Sequence, residues 1–271
     1  MHINELNPER LLIFGDVHGH LHEVRRALDA AQEQGIYVVV QVGDFGVWQG
    51  RAGDAFLESV ALELQQRDMW LLFVDGNHEN FDRLYSFPID PTDGTRPLRP
   101  RLAHLPRGLR WEWRGVRFTA LGGAHSVDRQ WRTADVDWWP EEWVLDSDLE
   151  LVREGGQTDV LFMHDSPSGA PNAVCDDPFN PGNKIFPKDD LDEAALHRRR
   201  LAYAVDAVEP LWIFHGHYHK RMSGTYTPAG ASRPCNVIGL DEGGTQQDYD
   251  FMIVVDLSEL VPDAAADSKE S

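Results

Sequence analysis

Five apolar runs of strand length each stop at a short polar cluster, and this repeated ending limits the folds open to the chain more than any other feature. LLIF leads into GDVHGH at 15–20, IYVVVQV into GDFG at 43–46, MWLLFVD into GNHE at 76–79, VLF into MHDS at 163–166 and LWIF into HGHYH at 215–219. Stretches of helical periodicity, 21–34 and 54–67, separate the first three runs. Apolar strands alternating with helices predict a sheet that is at least partly parallel and covered on both faces, because a strand apolar on both sides must be buried on both. In such sheets ligands bind outside the carboxyl ends of the strands, so side chains distant in sequence meet there.

Further along, LRWEWRGVRFTALGG (109–123) divides at Arg114-Gly115, a hairpin signal that makes the sheet mixed. Residues 140–154 read as helix, TDVLFMHD (158–165) as a buried strand, and 191 to about 208 as another helix; two or three strand-like runs follow and close near Leu257. The Pro/Gly/Asn/Asp-rich stretch 166–190 is too long for a simple connection and shapes a pocket rim or forms an ordinary surface insertion. One α/β domain over 1–260 is expected, with 261–271 as a frayed tail.

Composition removes several functions. No apolar run spans a bilayer and no signal-like start is present, which together predict a cytoplasmic protein with no membrane partner. Cys175 and Cys235 are too few for a disulfide framework and lack CxxC spacing, so they are expected reduced and structural. Lysine plus arginine (25) against aspartate plus glutamate (45) gives a net charge of −20, a field that repels duplex nucleic acid. A site that handles phosphate in such a chain has to create its own positive charge. Oligomeric state is not legible.

The five clusters offer Asp16, His18, Asp44, Asn77, His164, His217 and His219. Carboxylate and amide oxygens together with imidazoles suit Mn²⁺, Fe or Zn²⁺, whereas the lack of nearby thiolates argues against a structural zinc clip. Singly, each histidine reads as a packed or surface residue; placement after five separate strands is what singles out the set. His20, His22, His104, His125, His197 and His215 are assigned to surface or packing, with His20 and His125 the first candidates for exceptions. The nine tryptophans are expected to pack, a base-stacking platform being the alternative. Arg198, Arg199 and Arg200 are expected on a solvated helix face.

GDVHG, GD, GNHE and GHYH, in this order from Asp16 to His219, resemble the calcineurin-like metallophosphoesterase superfamily, over about three quarters of the chain. The resemblance implies two mixed β-sheets packed face to face with helices outside, a four-layer sandwich. It implies two divalent metals, Mn²⁺ first with Fe or Zn²⁺ as alternatives. Asp16, His18, Asp44 and His219 would surround one; Asp44, Asn77, His164 and His217 would surround the other, with Asp44 bridging. Two cations roughly 3.5–4 Å apart lower the pKa of a bridging water and supply hydroxide for in-line attack on phosphorus. His78 resembles the family histidine that contacts the phosphate and protonates the leaving oxygen, with Asp75 as a candidate to orient it. Asn77 would contact substrate as well.

Ser/Thr protein phosphatases of this superfamily carry GDxVDRG and an arginine before GNHE, where this chain has GDFGVWQG and Asp75. GGAHSVDRQWR (122–132) instead resembles a segment of smaller bacterial and phage enzymes, which makes Arg129 and Arg132 candidates to grip phosphate with a forked guanidinium. The expected activity is hydrolysis of phosphomonoesters or of small, including nucleotide, phosphodiesters. Its rivals are a Ser/Thr-type protein phosphatase and a non-catalytic scaffold of the same fold.

Overall fold

The computed structural model describes residues 2–172, 174–177, 179–244 and 248–261, so the expected tail beyond 261 lies outside the described residues. Among them, the strands are β1 Arg10–Phe14, β2 Val38–Gln41, β3 Trp70–Phe73, β4 Arg96–Arg99, β5 Leu102–His104, β6 Arg110–Trp113, β7 Val116–Leu121, β8 Val160–Met163, β9 Trp212–His215, β10 Met222–Tyr226, β11 Cys235–Gly239 and β12 Met252–Asp256. They form two six-stranded mixed sheets, ordered β12-β1-β2-β3-β5-β4 and β10-β11-β9-β8-β7-β6. In each, four central strands run parallel, and the outermost pair at either edge is antiparallel.

Alternation along the strands explains why their sequences look uniformly apolar. In β1, Leu11 and Ile13 face the other sheet, where they join Val38, Val40, Trp113, Phe118, Phe162 and Phe214 in an inter-sheet core. Leu12 and Phe14 point the opposite way, into a layer with Val24, Leu28, Leu57 and Val60 of the helices Leu21–Glu33 and Gly50–Arg67. The second sheet repeats this: Leu161, Met163 and Ile213 pack on Leu149, Val152, Leu201 and Val205 of the helices Asp146–Glu154 and Lys188–Val208. The layers are therefore helix, sheet, sheet, helix. Each side chain of this size taken from water contributes roughly 1.5–3 kcal/mol, so the alternation itself fixes the register.

The 109–123 segment is the expected hairpin, β6 and β7, turned through Arg114 and Gly115 at φ 53° and 79°. The stretch 140–154 is not one helix. A 3-10 turn, Pro140–Glu142, precedes the helix Asp146–Glu154, because Val144 dives into the core and its carbonyl accepts from Arg200 Nη1 (2.7 Å) instead of continuing a helix. The 166–190 stretch holds one short helix, Gly182–Ile185, before Lys188–Val208 begins. No helix of the described residues is long and apolar enough to cross a membrane.

Candidate metal centre

The parallel strands β1, β2, β3, β8 and β9 all end toward the same rim, and backbone bonds lace their following loops together. The amides of Val17 and His18 both donate to the Asp44 carbonyl (3.2 and 2.8 Å), and Gly216 N donates to the His164 carbonyl (3.2 Å). His78 N donates to Asp44 Oδ1 (2.7 Å), and His217 N reaches both oxygens of Asp16 (3.2 and 3.1 Å). His18, Asp44, His217 and His219 all have positive φ, 46°, 55°, 70° and 47°. A non-glycine residue held there costs about 1 kcal/mol or more, and four at one rim mark a site where strain is maintained for geometry. Gly76 and Gly216 permit the crowding: a Cβ on either would sit 2.1 Å from Oδ1 of Asp44 or of Asp16.

This lacing gathers the seven residues named from sequence. One ligand atom each from Asp16, His18, Asp44 and His219 lies within 4.8 Å of all the others. His219 Nε2 is 3.2 Å from Asp16 Oδ2 and also 3.2 Å from His18 Nε2, two imidazole nitrogens facing each other across a gap. On the other side of Asp44, His164 Nε2 lies 3.4 Å from Asp44 Oδ1 and 3.1 Å from Asn77 Oδ1. The His217 ring is 5.0 Å from that of His164, centre to centre. Asp44 thus stands between two groups of oxygen and nitrogen donors. His164 Nδ1 meets the Val42 carbonyl at 2.8 Å, which would keep a proton on Nδ1 and leave Nε2 available to a metal.

The charges at this rim call for a cation. Burial disfavours protonated His164, yet the neighbouring Asp44 carboxylate outweighs it and pushes the imidazole up to about 10. His219, likewise opposed by burial, is raised to about 9 by Asp16. Asp44 stays ionised, its burial overcome by the surrounding imidazoles, chiefly His164. Burial pushes His217 down to about 3. Buried carboxylates that recruit protons onto two imidazoles would accept divalent ions in place of those protons. The donor set and the facing lone pairs therefore fit two metals.

The remaining expected residues sit differently. Asp75 does not orient His78: its Oδ1 is 3.0 Å from His104 Nε2 and its Oδ2 2.6 Å from Arg107 Nη2, so both oxygens serve a buried ion pair. Arg129 does not face the metal ligands; its guanidinium reaches Glu193 (3.3 Å), where His125, Asp190 and Glu193 form a second trio of potential ligands. Arg132 Nη2 lies 2.6 and 2.8 Å from the ring nitrogens of His78, with its Nε on Asp128 Oδ2 (3.0 Å). Arg132, expected to grip phosphate, thus lies against the His78 ring instead. Burial, then this guanidinium, hold His78 below the usual histidine range against the opposing pull of Asp44.

Several contributors lay outside the expected set. Glu79 takes the amides of Phe45, Gly46 and Val47 (2.7, 3.1 and 2.7 Å) and so holds the loop that carries Asp44. Ser126 receives Asn77 Nδ2 (2.9 Å) and donates to Glu142 (2.9 Å). Asp165 accepts from His197 Nδ1 (2.8 Å) and from the hydroxyl of Tyr218, which lies between His217 and His219. Arg198 is no solvated helix residue: it lines a cavity of about 620 Å³ bounded by Asp44, Asn77, His78, His217 and His219. Arg199 alone of the three arginines is exposed.

The sequence profile of calcineurin-like phosphoesterases matches residues 9–221. Among solved structures, a dimetal phosphatase from Danio rerio superposes with a TM-score of 0.53 at 15% identity, covering 92% of each chain. TT1561 of Thermus thermophilus superposes with a TM-score of 0.51 at 11% identity, covering 92% of this chain and 99% of that one. At such identities the likeness speaks to fold. No curated protein matches the sequence. With the profile spanning most of the sandwich and every rim cluster, the chain belongs to the calcineurin-like phosphoesterase family.

Proposed function

We propose that the chain hydrolyses phosphomonoesters or small phosphodiesters with two divalent metals, Mn²⁺ being the first choice. The observation that carries this reading is Asp44 standing between Asp16, His18 and His219 on one side and Asn77 and His164 on the other. Asp16, His18, Asp44 and His219 would hold one ion, and Asp44, Asn77, His164 and His217 the second. When bound, such a pair supplies Lewis acidity that activates water and offsets charge on the phosphoryl oxygens.

The chain's own residues position and shield. Asp44 and Asp16 are buried, which strengthens their hold on a cation relative to water. His78 lines the cavity beside Asp44 and Asn77, within reach of a phosphoryl or leaving-group oxygen. Its depressed pKa makes it neutral near pH 7, a hydrogen-bond donor to phosphate and, in its protonated fraction, a stronger acid than a free histidine. Arg132, fixed by Asp128, sets the position and charge environment of that ring. The unpaired Cys175 and Cys235 favour work in a reducing compartment such as the cytoplasm.

The test is metal analysis of purified protein combined with hydrolysis of 4-nitrophenyl phosphate and bis(4-nitrophenyl) phosphate, before and after chelation. About two metals per chain with Mn²⁺-restored turnover is the expected outcome. Full turnover by thoroughly chelated protein would refute the reading.

A further inference from the structure

The cavity that opens on the metal ligands has a wall the hydrolytic chemistry does not require. One side carries Asp44, Asn77, His78, His217 and His219; the other is built from Ile185, Phe186, Leu191, Ala194 and Ala195, where the short helix Gly182–Ile185 meets the start of Lys188–Val208. This wall is only partly covered: Ile185 and Ala195 are exposed, and Phe186, Leu191 and Ala194 are half-buried. The Trp131 ring, 56% exposed, extends the apolar rim by lying 5.7 Å from the Phe186 ring, centre to centre. Uncovered apolar surface marks a place where something binds, and here it lines the same cavity as a candidate reaction centre in a protein of net charge −20.

We propose that this wall is the seat of the substrate's organic group, and that it selects phosphoesters bearing a flat ring, aryl or nucleoside, over phosphorylated polyols and phosphoserine or phosphothreonine side chains. The inference rests on the hydrolase reading above and narrows its substrate class. Three features favour a ring. The cavity's volume of about 620 Å³ lies within the range of small-molecule sites and exceeds what a phosphate and a short alkyl chain fill. The two alanines, one turn of helix beyond Leu191, present only methyl groups to the cavity, which leaves room for a planar group to lie against the helix. Arg198, the single basic side chain other than histidine among the described lining residues, sits on the same helix with Nε and Nη2 held by the carbonyls of Ser166 (3.2 Å) and Pro167 (3.4 Å). A guanidinium fixed in this way offers its remaining edge to an acceptor on the ring, while the apolar wall gives a polyol nothing to replace its water bonds.

Calorimetric binding to the Mn²⁺-loaded protein reads the proposal without relying on turnover. Methylphosphonate, phenylphosphonate and 1-naphthylphosphonate form the aryl arm; ribose 5-phosphate against adenosine 5′-monophosphate, measured as competition with methylphosphonate at low temperature, forms the nucleoside arm. About 55 Å² of buried apolar area corresponds to a tenfold gain in affinity, so a seated ring should tighten binding at least tenfold over its ringless partner in one arm or both. Which arm responds identifies the source of the ring. Ala194→Trp fills that room and should bring the ring-to-ringless affinity ratio down toward one. Ile185→Asp, at an exposed position that tolerates charge in the folded state, should lower that ratio several-fold.

Equal affinity for ringed and ringless ligands overturns the inference, as does a preference that survives both substitutions in protein whose melting temperature is unchanged. If methylphosphonate itself fails to bind the loaded protein and no phosphoester is turned over, the hydrolase reading has failed instead.

Discussion

At the scale of single residues, Asp44 and His78 are neighbours joined by one hydrogen bond, yet they should fail differently when removed. Asp44 is the carboxylate common to both groups of donors, and its loss leaves the Asn77–His164 side without a carboxylate and the other side with Asp16 alone, so neither retains the anionic oxygen the two ions would share. Asp44→Ala should therefore lose activity together with metal. His78 offers no atom to either donor group in the structure, so His78→Ala should retain metal while kcat falls by ~10²–10⁴, the usual weight of a proton-transferring side chain. Atomic emission analysis beside steady-state kinetics separates the two, and loss of metal from His78→Ala would show that His78 is a ligand. Arg132→Met removes the cation against the ring and should shift the pH dependence of kcat upward, since less positive charge then opposes protonation.

At the scale of elements, the carboxyl ends of β1, β2, β3, β8 and β9 were readable because each buried strand breaks into Gly, Asp, Asn or His, residues a core cannot use without a purpose. The hairpin at Arg114-Gly115 was equally plain. β4 and β5 were not, since RPLRPRLAH (96–104) has two prolines where a ladder needs donors; Pro97 is accommodated because β4 is an edge strand with a shifted register. The fate of the arginines was hidden for a related reason. Whether a guanidinium meets substrate or a nearby carboxylate depends on packing between distant elements: Arg107 reaches Asp75, and Arg129 reaches Glu193, with no local signal for either. Asp75 shows the consequence. Its carbonyl accepts from Gly123 N (2.8 Å), while Arg107 also bonds the Trp143 carbonyl (3.0 Å), so this pair pins the β3 loop to the 122–143 segment. Burial raises the cost of its charge, but the Arg107 guanidinium wins and holds the carboxyl well below its usual range. A depressed carboxyl contributes stability present above its unfolded pKa, about 4, and lost as pH falls below it. Asp75→Asn should cost up to about 3–5 kcal/mol at pH 7, because the buried Arg107 guanidinium keeps only the partly exposed Asp148 (3.2 Å) as an ionic partner. Urea titrations at pH 7 and pH 3.5 should show the difference from the parent chain shrinking in acid; a constant difference would deny the ion pair its role.

At the scale of the whole molecule, the family sandwich brings two sheets together so that loops from both converge on one rim, and a chain of net charge −20 concentrates further negative charge there. Metal binding is therefore coupled to global stability, because only the folded chain assembles the donors. Saturation at about 100 times Kd adds ~2.7 kcal/mol. At about 2–4 °C per kcal/mol for a domain near this size, the melting temperature should rise by roughly 5–10 °C. Protons compete for the same atoms: His164 and His219, raised to about 10 and 9, are protonated in the metal-free fold at neutral pH and must release those protons to bind an ion. In the metal-free chain their raised pKa values stabilise the fold fully below about 6.5, a contribution lost as pH climbs through 9 and 10. The stability difference between Mn²⁺-loaded and metal-free protein should accordingly widen from pH 6.5 to pH 9, by up to about 1.4 kcal/mol per displaced proton per pH unit at fixed free metal, and the gap between their melting temperatures should widen with it. Differential scanning calorimetry across that range decides the matter: a gap that stays constant, or narrows as pH rises, would mean that the ions do not take the place of protons on His164 and His219.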